Sequence, residues 1–325
     1  MKFIKAEVSG DVGSFEALGL HYGRDTIAVM SFAQLPELDR VLVSKMAGRD
    51  VPLILAGGES VVIDRAGRPI ANIFALDLFR DYRTVAFTEY AKRLYDREKR
   101  IALAASRFTV NQEREAKICY DLLDKAGFMP MPYWADASAR DSFGMMAEEI
   151  ESFEGENAGV VISFMGSMAT REIWRNFMRL RSNWQLWNCA QPDSTYLSCR
   201  YMVFADQNIM LASHGDFIET KRMMWRERAM QVSDYVAAGK AVALYEWLKR
   251  AIELMPQPVD TLNRMQLLVN LGRVRGVPFG NQVLNMAANL HRPSERDVYI
   301  VDVRNREYSY LDTVRVKGLQ YVQMY

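Results

Sequence analysis

The longest helical signal in the chain runs from about Thr88 to Ala126 and closes on Gly127. Thr88 can cap the first turn, and Glu89 follows it where an acid suits the helix dipole. Leu94, Ile101, Ala105 and Phe108 form one apolar stripe; Cys119, Leu122, Leu123 and Ala126 form a second. Between them Thr109-Val110-Asn111-Gln112 lowers helix propensity, which predicts a bend or break. The outer faces alternate Lys92, Arg93, Arg97, Lys99 and Arg100 with Glu113, Arg114, Glu115 and Lys117, the pattern of a solvated or partner-facing helix. A signal of this length, set beside short strand signals, requires a mixed α and β chain.

The surrounding segments fill in that picture. Residues 1–34, with Gly10, Gly13, Gly19 and Gly23 and short apolar runs such as Ile27-Ala28-Val29-Met30, read as an extended arm or a few short strands and not a helix. Residues 35–127 form the hairpin and long-helix region. In it Leu35-Pro36-Glu37 opens a helix through Met46, and Val51 to Leu55 is a buried strand. Val61 to Ile73 is strand, turn and strand about Arg65-Ala66-Gly67-Arg68. Residues 128–255 are an α/β region. It has a proline-punctuated connection at 128–134, a helix from Ser138 to about Glu151, a strand at Val160–Ser163 and a helix at Ala169–Leu180. Strands at 201–204 and 209–212 and a helix from about Asp234 to Met255 complete it. Residues 256–325 are β-rich and end in a hairpin that turns at Arg304-Asn305. The fold class read from this order is α+β, with mixed sheet regions and several amphipathic helices, ranked above a doubly wound sheet.

Composition bounds the function classes. The 325 residues carry 41 basic and 40 acidic side chains, so no basic excess seeks a polyanion. Three cysteines and three histidines, without Cys-x-x-Cys or His-x-x-x-His, support neither a disulfide framework nor a zinc site. The start, Met1-Lys2-Phe3-Ile4-Lys5-Ala6-Glu7, has no long apolar core, so no signal peptide is read; nothing approaches the roughly 20 apolar residues of a membrane span. No cofactor is expected. The 19 methionines are adaptable side chains suited to irregular gaps and contact surfaces.

Two constellations could carry function. Asp206, followed by Glu219-Thr220-Lys221, has the residue types of a metal-dependent nuclease. Asp206 and Glu219 would hold Mg²⁺ by the scissile phosphate, and Lys221 would orient the attacking water. The competing reading is a surface hairpin with solvated charges. The second constellation is an acid-only stretch facing an arginine stripe. Residues 141–156 hold six acids, Glu148, Glu149 and Glu151 among them, and no base; Arg171, Arg175 and Arg179 recur on the next helix. These six named residues are candidates for salt bridging within the chain or for subunit contact, ahead of contact with nucleic acid. Phe164-Met165-Gly166-Ser167-Met168 loosely resembles a nucleophile elbow, but Met165 and Ala169 stand where that motif has glycines.

The order of features resembles that of tailed-phage major capsid proteins. The likeness runs through the arm, the hairpin at Arg65-Ala66-Gly67-Arg68 and the long charged helix containing Gln112-Glu113-Arg114-Glu115-Ala116-Lys117. It continues through Trp134-Ala135-Asp136-Ala137-Ser138-Ala139, the helix Ile173-Trp174-Arg175-Asn176-Phe177 and the turn Gly215-Asp216-Phe217. It spans about residues 1–235; the helix at 234–255 and the segment after it depart from the pattern. The resemblance implies a structural virion protein that self-assembles, partnered by itself and by other virion proteins, located in the virion and in host cytoplasm before assembly. A second likeness, to CRISPR integrases, rests on Thr88-Glu89-Tyr90 and Glu98-Lys99-Arg100, and implies a DNA-binding protein without metal chemistry. The sparse catalytic inventory favours assembly over catalysis.

Overall fold

A computed structural model describes residues 26–32, 36–57, 68–79, 81–97, 99–106, 110–135, 142–152, 159–192, 194–208, 232–256, 263–280 and 282–317. The chain divides into two compact units. One comprises Met1–Arg80, Ala212–Arg296 and Lys317–Tyr325, the other Asp81–Leu211 and Asp297–Val316.

In the first unit, β1 (Val29–Ser31), β2 (Leu53–Leu55) and β3 (Ile73–Ala75) form a parallel sheet in that order. The segment at 29–31, where the sequence allows an arm or short strands, is a sheet strand. Helix α1 (Pro36–Met46) lays Leu38, Leu42, Val43 and Met46 on Leu53, Leu55, Ile73 and Ala75. Asn72, fully buried, closes the end of α1: its Nδ2 donates to the Met46 and Val51 carbonyls at 2.8 and 3.0 Å, and its Oδ1 accepts from Gly48 N–H. Ile73 therefore belongs to a parallel sheet and not to a hairpin; residues 61–67, the rest of that expected hairpin, lie outside the described residues. Helices α6 (Val232–Glu253) and α7 (Arg264–Leu271) pack together, and Trp247 Nε1 donates to the Leu271 carbonyl at 2.8 Å. Helix α7 and the short strands β9 (Val277–Phe279) to β12 (Arg292–Pro293) occupy a segment read as β-rich.

Asp77, two residues beyond β3, is the ionic centre of this unit. Its two carboxylate oxygens accept from Lys240 Nζ at 2.8 Å and Arg296 Nη1 at 3.1 Å, and all three side chains are buried. Arg292 donates to the Asp77 carbonyl at 3.0 Å and stacks on the Phe79 ring at 3.4 Å.

The second unit is built on a seven-stranded sheet. Its parallel part is β4 (Arg100–Ser106), β5 (Met129–Ala135), β6 (Val160–Ser163), β7 (Gln185–Asn188) and β8 (Val203–Asp206), in the spatial order β5-β4-β6-β7-β8. Strand β13 (Glu295–Arg304) then pairs antiparallel with β8, and β14 (Glu307–Lys317) follows it through the two-residue turn Asn305-Arg306. Both turn residues have positive φ, 51° and 63°, which matches the twist of a tight hairpin. The terminal hairpin expected from sequence is present, with its turn one residue later.

Helices cover both faces of the sheet. On one side are α2 (Tyr82–Leu94) and α3 (Val110–Lys125); Phe87 and Tyr90 each lie 5.2 Å from the Trp187 ring, and Cys119 and Leu123 are fully buried. On the other are α4 (Ser142–Ser152) and α5 (Ser167–Leu180), with Met146, Ile150, Ile173 and Phe177 packed on Ala102, Ala104 and Val161. The mixed α and β content expected from sequence is thus present. Its arrangement in this unit is an alternating, doubly wound α/β layer, which the sequence reading ranks second.

The continuous helix from Thr88 to Ala126 does not exist. Its middle, Ile101-Ala102-Leu103-Ala104-Ala105, is the central strand β4, each residue at most 2% exposed. A strand buried on both faces has no polar alternation, and its alanines carry high helix propensity, so it reads as helix until its neighbours are known. Likewise 129–135, read as a connection, is edge strand β5. Pro130 and Pro132 are tolerated there because their missing N–H groups fall on the unpaired side.

Two substitutions test this packing. A Cβ at Gly159 would sit 2.1 Å from the Arg100 carbonyl oxygen and 2.8 Å from Trp184, so Gly159→Ala is expected to destabilise the unit by about 1–3 kcal/mol, read from the denaturant midpoint. Asp77→Asn leaves Lys240 and Arg296 buried without their carboxylate, and is expected to cost about 3–5 kcal/mol in the same measurement.

Candidate functional site

The chain leaves β4 for β5 on one side of the sheet and returns to β6 on the other, so the strand order reverses between β4 and β6. The connections from these two strands diverge to opposite faces, towards α3 and α5. Divergence leaves a crevice outside the carboxyl ends of the strands, where open α/β sheets bind ligands.

Each strand brings a serine to this edge. Ser106, the last residue of β4, donates its hydroxyl to Gln112 Oε1 in the first turn of α3 at 2.5 Å. Ser163, the last of β6, works within its own turn. Thr170 Oγ1 donates to the Met165 carbonyl at 3.1 Å, so its hydroxyl proton is committed, and the 2.9 Å contact between the two hydroxyls has Ser163 donating to Thr170. Ser163 Oγ in turn accepts from Met165 N–H at 3.3 Å. Both hydroxyls are fully buried and satisfied, and they hold the β6–α5 turn in one shape.

That turn ends on Gly166, the N-cap of α5, with φ −64° and ψ 166° and no side-chain hydrogen bond to the helix. The first N–H groups of the helix therefore have no side-chain cap. Ser167 and Met168 are exposed, Met168 at 84%, and nothing lies within 4 Å of where a Cβ on Gly166 would stand. Uncapped N–H groups and the positive end of the helix dipole suit an anion. The segment resembling a nucleophile elbow is thus a strand-to-helix turn, as that motif requires, but its buried hydroxyls are structural. Of the three histidines, His21 and His214 lie outside the described residues. His291 belongs to the other unit: its Nδ1 lies 3.0 and 3.1 Å from the Ile70 and Ile73 carbonyls, and burial holds its pKa below the ordinary imidazole value.

Farther along the same edge, Asn188 at the end of β7 accepts from Ala190 N–H at 2.9 Å. Asp206 ends β8, buried, and accepts from Asn208 N–H at 2.7 Å and from Tyr82 OH at 3.4 Å. Arg83 Nη2 is 3.8 Å from the same carboxylate, and the Arg83 guanidinium lies over the Tyr82 ring at 4.6 Å. Asp206 therefore ties the start of α2 to the end of β8. The nuclease reading is corrected here: Asp206 is committed to these contacts, while Glu219 and Lys221 lie outside the described residues. Among the described residues no group of three or more acids, histidines or cysteines could hold a metal.

The acid and arginine residues do not gather at this edge. They lie along the outer sides of α4 and α5, where Glu148 pairs with Arg179 at 2.9 Å and Arg175 with Glu172 at 2.7 Å. Glu151 accepts from Ser182 Oγ at 2.5 Å, and Glu149 is exposed. Arg171 is half-buried near Cys199, whose thiol burial pushes up in pKa against the pull of Arg171 and Arg175. Sequence reasoning missed the strand-end serines, Thr170 and the open N-cap. The alternation of short apolar runs with helices from 100 onward is the signal that would have found them.

Thr170→Val preserves shape but removes both the donor to Met165 and the acceptor for Ser163. It is expected to cost about 1–3 kcal/mol in denaturant unfolding, with Thr170→Ser recovering most of the loss.

No family model and no curated sequence matches the chain. Solved structures do. A protein described as a branched-chain amino acid ABC transporter from Rhodospirillum rubrum aligns with a TM-score of 0.68 at 12% identity, over 94% of this chain and 86% of that one. A leucine binding protein from Thermotoga maritima aligns at 0.63 and 11%, over 89% and 79%. An ABC transporter solute binding protein from R. palustris, in complex with benzoate, aligns at 0.58 and 11%, over 86% and 75%. These matches overturn the capsid resemblance, because the order of elements that carried it belongs to a different architecture: the supposed long helix is α2, β4 and α3. With it go the virion protein, the shell built by self-assembly, the virion partners, and the virion and host-cytoplasm location. The nuclease and CRISPR-integrase alternatives lose their footing on the same finding. Across most of its length the chain has the fold of ABC-transporter solute-binding proteins.

Proposed function

We propose that this chain binds a small organic solute bearing a carboxylate and passes it to a transporter of the ABC class. The observation that carries this reading is the reversal of strand order between β4 and β6, which opens a crevice at the carboxyl ends of the parallel strands. Recognition there needs only pre-formed groups. The Ser163–Thr170 network holds the β6–α5 turn, and the uncapped start of α5 offers N–H groups to an anion. Leucine, branched-chain amino acids and benzoate, the solutes named for the aligned proteins of this fold, share a carboxylate on an apolar body. The exposed thioether of Met168, two residues after the N-cap, is an adaptable surface for such a body.

Calorimetric titration with leucine, isoleucine and benzoate, against benzamide and leucinamide, tests the reading. Carboxylates are expected to bind, and the amide counterparts at least about tenfold more weakly. Gly166→Asp fits sterically and supplies its own cap. It is expected to keep or slightly raise the melting temperature while weakening carboxylate binding by about tenfold or more. Failure of every carboxylate to bind, or unchanged affinity in Gly166→Asp, overturns the proposal.

A further inference from the structure

The β4–α3 side of the crevice carries a fixed hydrogen-bond donor. Gln112, in the first turn of α3, accepts the hydroxyl of Ser106, the last residue of β4, on Oε1 at 2.5 Å. That bond sets the plane of the amide and engages its acceptor. The two N–H groups on Nε2 have no acceptor among the described residues, and the side chain is half-buried. Gln112 therefore offers the crevice donors only. Strands β4 and β6 are neighbours: Ala104 pairs with Ser163, and its carbonyl accepts from Phe164 N–H at 2.9 Å. Gln112 and the open N–H groups of α5 thus rise from adjacent strands, about 5 Å apart at their base.

The potential along this edge has one sign. Helices α2, α3 and α5 all start here: Tyr82 and Arg83 reach Asp206 at the end of β8, Gln112 reaches Ser106, and Gly166 follows β6 closely. Three helix dipoles therefore present their positive ends at the edge. The described acids at these helix caps, first turns and strand ends each have a cation within the chain. Asp81 pairs with Arg114 at 3.2 Å, Glu113 with Lys117 at 2.9 Å and Asp206 with Arg83 at 3.8 Å. An ammonium group brought here meets positive helix ends and, among the described residues, no uncommitted carboxylate. It would lose its water without a compensating partner.

From these two observations, which rest on the carboxylate reading above, we infer that the solute is a 2-oxo acid, with an uncharged acceptor where an amino acid bears its ammonium. Its carboxylate takes the open N–H groups of α5, and its 2-oxo oxygen accepts from Gln112 Nε2. Gln112 is then the residue that sets specificity. A donor-only amide held in place by Ser106 favours a carbonyl oxygen and opposes an ammonium, which is itself only a donor. Sites that require a particular hydrogen bond discriminate more sharply than sites that rely on apolar fit alone.

Calorimetric titration of the full chain with three compounds of one carbon skeleton, 4-methyl-2-oxopentanoate, 4-methylpentanoate and leucine, tests the assignment. The oxo acid is expected to bind at least about tenfold more tightly than either of the others. Gln112→Glu keeps an acceptor for Ser106 and places an acid where a helix start favours one, so the fold is retained. It also replaces the donor by an anion, and leucine is expected to overtake the oxo acid. A misfolded chain cannot gain affinity for leucine, so the reversal reads specificity and not damage. Leucine binding to the parent chain as tightly as the oxo acid overturns the inference, and so does an unchanged ranking in Gln112→Glu. Binding of 4-methylpentanoate bears on the carboxylate reading alone. If it binds and the oxo acid gains nothing over it, only the 2-oxo assignment falls; if none of the three binds, and benzoate does not, the carboxylate reading falls with it.

Discussion

Strand β4 has water on neither face and neighbours on both edges, and the architecture of the second unit follows from that. Its apolar run, Ile101 to Ala105, must be covered by α3 on one side and by α4 and α5 on the other. Its two edges must be paired, which β5 and β6 do in parallel. A parallel neighbour on each side requires two crossovers, and right-handed crossovers to opposite edges put their helices on opposite faces. The divergence of connections at the carboxyl ends follows from the same geometry. The candidate crevice is thus a by-product of burying one short strand completely.

Polar groups at that edge divide into those that hold the structure and those left open. Ser163, Asn188 and Asp206 at their strand ends, and Thr170 in the first turn of α5, are buried, and each has a backbone or side-chain partner. A buried hydroxyl or carboxylate without such a partner costs more than the bond itself contributes, so these networks rigidify the turns. The start of α5 is the contrast, a rigid turn that ends on uncapped N–H groups facing solvent. Rigidity beside open donors is the arrangement that recognition needs, and it requires no nucleophile, metal or general base. The solute-binding role proposed above draws on none of the three histidines or three cysteines of the sequence.

Legibility in the sequence followed burial on one face as opposed to two. Helices α1, α5 and α6 and the β13–β14 hairpin each present a polar side to water, so their periodicity is visible, and they stand near where the sequence places them. Strands β4 and β5 and helix α7 do not stand where it places them. Ile101-Ala102-Leu103-Ala104-Ala105 has no polar alternation, and Pro130 and Pro132 are ordinary marks of a loop until β5 is known to be an edge. Misreading β4 as helix concealed the strand–helix alternation of a doubly wound sheet and left an order of elements that resembled a capsid chain. For the site, Gly166 and Ser167 stand in the sequence within a segment that resembles a motif of different chemistry. Asp206 has the residue type of a metal ligand, whereas Tyr82 and Arg83, over a hundred residues away in sequence, decide what it does.

The sequence by itself determined the class of the material. It specified a mixed chain with short buried strands, amphipathic helices, balanced but segregated charge and few groups for catalysis, because residue type and period act over a single turn or strand. Tertiary structure decided which strands are neighbours, and therefore the parallel order β5-β4-β6-β7-β8 and the reversal at its centre. It also decided that the acids of α4 stand beside the arginines of α5. Those outcomes rest on contacts between segments far apart in the chain, and such contacts leave no periodic trace in either partner alone.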